Sequence, residues 1–163
     1  MSSIPSVSIV VLLLSAITSQ AAVIYTPTSG SACHDLSKPE FGDWVCPGPG
    51  GYVAEFTDEG NVAGLSIFSR SRAKERLTTQ FRGAGKIFGD KMEWHVLGGV
   101  PKSAVLRMWH RDENEREIQT LEVFLLEPHR ACSFGSIDAR RPDANELASQ
   151  RAEYATHSDC ANK

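Results

Sequence analysis

Beyond residue 21 this sequence contains no apolar run of the ~20 residues that a membrane-crossing helix needs. It has no excess of basic charge. With 17 Lys+Arg against 20 Asp+Glu the formal net charge is −3, which argues against a protein that holds nucleic acid by neutralising phosphates. There is no Cys-x-x-Cys knuckle, no Gly-x-x-x-x-Gly-Lys-Ser/Thr loop, no Gly-x-Ser-x-Gly elbow and no internal repeat. Zinc ribbons, P-loop nucleotide hydrolases and α/β-hydrolases therefore lose their usual sequence marks.

What is present begins with the N-terminus. Val7 to Ile17 is almost wholly apolar, and Ser19-Gln20-Ala21 supplies the small residues a signal peptidase reads. An apolar core of about 11 residues suits a secretory leader and is too short to span a bilayer. No Lys or Arg precedes it, and no cysteine follows the cleavage site, so lipid anchoring is not indicated. Residues 1–21 read as a signal peptide and residues 22–163 as a single α+β domain. The expected compartment is the periplasm or the extracellular medium.

Four cysteines remain: Cys33, Cys46, Cys132 and Cys160. An even count in an exported chain reads as two disulfides, with three possible pairings. Their position near each end favours Cys33–Cys46 and Cys132–Cys160. Loops of this size stabilise by roughly 3 kcal/mol each on the loop-entropy account. The rival is a metal site: His129 with Cys132 and His157 with Cys160 form two His-x-x-Cys units that could hold tetrahedral zinc. Zinc needs reduced sulfurs, which an oxidising compartment removes, so no cofactor is expected.

Residues 22–43, rich in Thr, Ser, Pro and Gly, read as an irregular arm. The stretch Cys46-Pro47-Gly48-Pro49-Gly50-Gly51 reads as a turn, because its glycines precede a strand and its prolines lack the amides a phosphate would use. Strands are expected at Gly51 to Thr57, Val62 to Ser69, Lys91 to Leu97, Ser103 to Arg111, Glu117 to Leu126 and Ala131 to Asp138. Arg70 to Lys86 reads as a basic loop, and Gly98-Gly99-Val100-Pro101 as a break. Short connections make neighbouring strands antiparallel. From Pro142-Asp143 onward, Ala144, Leu147, Ala148, Arg151, Ala152 and Ala155 recur at helical spacing, with Pro142 suited to the first helical position. The expected fold is α+β: an antiparallel sheet of about six strands, disulfide-stapled, with a C-terminal helix packed on it.

Candidate chemistry is sparse. Glu93-Trp94-His95 places an acid and an imidazole on one strand face and an indole on the other, a possible acid/base pair for a small hydrolase. The simpler reading is an exposed edge over a buried tryptophan. Ser136 lacks a recognisable histidine partner. Glu55, Asp58 and Glu59 are carboxylates, the latter two in a turn. The basic run Arg70-Ser71-Arg72-Ala73-Lys74-Glu75-Arg76 is a candidate binding surface for anionic lipid, lipopolysaccharide or an acidic protein partner, with Glu93 and His95 beside it; the simpler reading is a solvated loop, since Glu75 interrupts the run.

From Asp43 onward the chain resembles a family of small exported proteins of alphaproteobacteria with no assigned activity. The resemblance is carried by Trp44-x-Cys46 with Gly50-Gly51-Tyr52, by Glu93-Trp94, by Ala104 to Trp109, and by the tail Ile137 to Tyr154 ending at Cys160. The tail is similar to the family's Asp-Ala…Asn-Pro-Asp-Ala-Asn-x-Leu-Ala-Arg pattern. His95, Ser133 and Arg140-Arg141 depart from it. The resemblance implies export and this architecture. The functional expectation is a non-enzymatic exported protein that binds a protein or envelope partner. The alternatives are a periplasmic hydrolase using Glu93 and His95, or a lysozyme-inhibitor-like protein, whose only mark is Ser29-Gly30-Ser31.

Overall fold

The structure, a computed structural model, describes residues 21–70, 77–83, 85–127 and 131–160. Ten strands and one helix follow in order: β1 (Ala21–Pro27), β2 (His34–Asp35), β3 (Gly42–Pro47), β4 (Tyr52–Asp58), β5 (Val62–Ser69), β6 (Leu77–Arg82), β7 (Phe88–Leu97), β8 (Val100–Arg111), β9 (Glu117–Leu126), β10 (Ala131–Asp138) and α1 (Ala144–Ala155). They form two five-stranded sheets, β1-β7-β8-β9-β10 and β2-β3-β4-β5-β6. Every pairing is antiparallel, as the short connections require. The α+β architecture with its C-terminal helix is as expected from the sequence; the strands are more numerous and divided between two sheets.

The extra strands come from segments expected to be irregular. The arm was expected to lack structure from residue 22 to 43, yet Ala21–Pro27 pairs along its whole length with β7. Val23-Ile24-Tyr25-Thr26 has the β-branched and aromatic content of a strand, but its partner lies some seventy residues away, so local pattern could not show the pairing. The basic segment was expected to be a loop to Lys86, yet Leu77–Arg82 pairs with β5. As an edge strand β6 sends Phe81 into the core and otherwise tolerates polar residues. Only Gly98 and Gly99, both at positive φ, make the turn before β8; Val100 and Pro101 already belong to the strand.

Period-2 alternation sorts each side chain to a face. Met92, Trp94 and Val96 of β7, Ala104, Leu106 and Met108 of β8, and Phe124 and Leu126 of β9 meet Phe56, Leu65 and Ile67 of the second sheet in one core. The opposite face of the first sheet carries Val105, Leu121, Val123 and Ile137, covered by Ala144, Ala148 and Ala152 of α1. Alanines let the helix lie close: the Ser103 hydroxyl donates to the Ala152 carbonyl at 2.6 Å. Asp143 is the N-cap, so Pro142 precedes the helix rather than opening it, and the Asp143 carboxylate pairs with Arg141 instead of capping.

The glycine–proline stretch is a turn, joining β3 to β4 through a 3-10 turn at Pro49–Gly51. Gly48 is required there by proximity: a Cβ would stand 2.7 Å from Cζ2 of the fully buried Trp94. Both expected disulfides are formed. Cys33–Cys46 ties the residues after β1 to β3, and Cys132–Cys160, with Cα atoms 6.1 Å apart, ties the chain beyond α1 to the start of β10. The two sulfurs of the His-x-x-Cys units are thus bonded to each other and cannot serve as thiolate ligands; His129 lies outside the described residues.

Candidate functional site: a cleft between helix and sheet

Glu93 and His95 share a face of β7 and Trp94 takes the other, as alternation predicts. The exposed-edge reading fails, because β1 flanks β7 and α1 lies above it. His95 is 7% exposed, and Trp94 is fully buried with its indole donating to Thr26 Oγ1 at 2.8 Å. Below the helix, His95 Nε2 donates to Glu93 Oε1 at 2.6 Å. Tyr25 of β1, directly opposite Glu93 in the ladder, donates its hydroxyl to Oε2 at 3.0 Å. The bond from His95 holds the Glu93 carboxyl below its usual range against the opposing effect of burial, with Tyr25 and Ser149 of α1 assisting. Burial, and then the neighbouring Glu93, push the Tyr25 phenol up.

This cluster borders a cleft of about 420 Å³ between α1 and the outer face of the first sheet. Val105, Leu121 and Ala148 supply apolar wall. Lys91 and Arg107, from adjacent strands, line the same space. The Lys91 ammonium lies 4.5 Å from the Tyr25 ring centroid, and Arg107 Nη2 donates to Asn145 Oδ1 at 2.9 Å. Sequence reasoning found Glu93 and His95 but missed Tyr25, Lys91, Arg107 and Asn145. The alternation of Lys91, Glu93 and His95 with buried neighbours was the available signal; the contribution of β1 and α1 was not readable.

Other sequence candidates fall elsewhere. Arg70 is exposed at the end of β5, in the sheet behind the core, so the first sheet separates it from Glu93 and His95. Arg70 thus lies on a different sheet from Glu93 and His95, while Arg72, Lys74 and Arg76 lie outside the described residues. Ser136 donates to Glu122 Oε1 at 2.6 Å, and His110 Nε2 lies 3.0 Å from Thr120 Oγ1 and 3.9 Å from Glu122. Ser136 donates to a carboxylate, with the His110 imidazole on the far side of that carboxylate, which is not a nucleophile–base pair. Glu122, 7% exposed within the most apolar strand, went unnoticed in the sequence. Asp58 accepts from the Gly60 amide at 2.7 Å, a turn role. Ser29-Gly30-Ser31 is an exposed bend after β1.

Fold and site define a disulfide-stapled pair of antiparallel sheets with a helix-covered cleft. No family model, curated protein or solved structure matches the chain. Among the described residues no helix is long and apolar enough to cross a membrane.

Proposed function

We propose that this is an exported, non-enzymatic protein that binds a protein or envelope partner through the cleft beside α1. The observation that carries the reading is the state of Glu93. Both its oxygens already accept hydrogen bonds, and its carboxyl is held below the usual range, so it is a weak proton acceptor at neutral pH. Its hydroxyl neighbour Tyr25 is pushed the other way, away from acting as a nucleophile. The cleft offers shape, apolar wall and fixed charge, which is what recognition uses. The leader-like N-terminus, the two disulfides and the sequence resemblance support export.

N-terminal sequencing of secreted material should return Ala22; recovery of intact Met1 from cytosol would sink export. Immobilised mature protein should then retain a partner from envelope extract or extracellular fluid, and Asn145→Trp, which puts a bulky ring on the cleft lining, should lose it. Equal retention by both proteins would place binding elsewhere, and turnover of ester or glycoside substrates abolished by Glu93→Gln would restore the hydrolase.

A further inference from the structure

We infer that β1 is a dimerisation edge, at which two copies of this chain pair antiparallel through residues 22–26 about a twofold axis at Ile24. This goes beyond the reading of the cleft and does not rest on it. β1 ends the first sheet, so among the described residues no strand lies on its outer side. The Thr28 amide donates to the Asp90 carbonyl at 3.2 Å. Hydrogen-bonded pairs alternate along an antiparallel ladder. Counting back through the unbroken register with β7, the residues bonded to β7 are Thr26, Ile24 and Ala22. The N–H and C=O groups of Val23 and Tyr25 therefore point away from the sheet. Pro27, which has no N–H, falls on the same outward side, where a proline costs no ladder bond.

The other sheet edges are blunted against strand addition, and this one is not. β2 is two residues long, His34 and Asp35. β6 ends in Arg82, which pairs with Glu115 at 2.6 Å. β10 is broken by a register shift between Ser133 and Gly135 and closes on Asp138. β1 has neither a charged residue nor a register shift. It exposes three consecutive large apolar side chains, Val23 at 47%, Ile24 at 38% and Tyr25 at 53%. A second copy is the partner because the segment matches itself. An axis at Ile24 sets Val23 of each copy against Tyr25 of the other, and each such pair exchanges two hydrogen bonds. Ile24 then meets Ile24, and Ala22 meets Thr26. Extended into β7, the row through Tyr25 runs Glu93, Tyr25, then Val23 and His95 of the second copy, so acid and imidazole stand at opposite ends. No row sets like charges side by side.

Sedimentation equilibrium on the mature, oxidised protein tests this. One strand a side buries less than a standard interface of roughly 1,200–2,000 Å², so the dimer should form with a Kd of about 10–100 μM. Val23→Pro, which removes an outward N–H and no bond to β7, should weaken it about tenfold or more. Ile24→Lys and Ile24→Glu should each sediment as monomer, because like charges meet at the axis. An equimolar mixture of those two variants should dimerise again. Circular dichroism at monomeric concentration confirms the fold of every variant. A parent still monomeric about tenfold above the upper Kd, or Val23→Pro dimerising like the parent, would overturn the assignment. A mixture that stays monomeric would overturn the axis at Ile24. A monomeric parent whose capture of an envelope partner is lost in Val23→Pro would give the edge to a foreign strand and overturn the second copy.

Discussion

The helix that walls the cleft is held less by its own packing than by the bond beyond its end. The buried face of α1 is Ala144, Ala148, Ala152 and Ala155. At ~0.8 kcal/mol per buried methyl-sized group, four alanines contribute only about 3 kcal/mol. A 12-residue helix is marginal by itself. Cys132–Cys160 closes a loop of sequence separation 28, for which loop entropy gives about 3.5 kcal/mol. The disulfide therefore matches the whole apolar face of the helix. Replacing both cysteines by alanine should lower the melting temperature by roughly 10 °C and loosen α1 before the sheets. Hydrogen exchange followed by mass spectrometry should show residues 144–155 exchanging far faster, while β7 to β9 keep their protection. The control is Cys33→Ala with Cys46→Ala, which opens a loop of separation 13: it should cost nearly as much, about 3 kcal/mol, without exposing α1. Unchanged protection of α1 in the Cys132/Cys160 variant, with a melting shift of only a degree or two, would refute the reasoning.

Gly48→Ala should destabilise by roughly 1–3 kcal/mol, because the new Cβ meets the ring of Trp94, which has no free space to retreat into; a neutral result in urea unfolding would contradict that contact. Glu93→Gln should destabilise most near neutral pH. The folded-state pKa of Glu93 is lowered, so its contribution is complete above the unfolded carboxylate range and disappears as pH falls through the folded value. The gap between parent and variant should therefore narrow on acidification, and a gap independent of pH would count against the cluster. Arg140 beside Asp138 brings that carboxyl down to about 2. Carbon-detected NMR should find this midpoint, returning toward the ordinary range in Arg140→Gln; an unmoved midpoint would rule out the pairing in solution.

Much of the chain announced its structure locally. Val62 to Ser69, Glu117 to Leu126 and Ala131 to Asp138 form strands with the expected bounds, because hydrophobic content and flanking turn residues act over a few neighbours. The pairing of Cys132 with Cys160 was also readable, since a strand followed by a returning helix brings their ends together. The alternation around Trp94 correctly put Glu93 and His95 on one face. What the sequence could not settle was which surface that face would meet. β1 reaches β7 across a long stretch of intervening chain, and its arrival turns an expected edge into a covered strand. β6 is a strand because β5 offers it an edge, not because its residues insist on one. The cleft follows the same logic. Tyr25, Lys91, Arg107 and Asn145 come from β1, β7, β8 and α1 and gain meaning only together. Local propensity is set by neighbours along the chain, whereas a site is set by which distant elements exclude water from one another, and that is decided by tertiary packing.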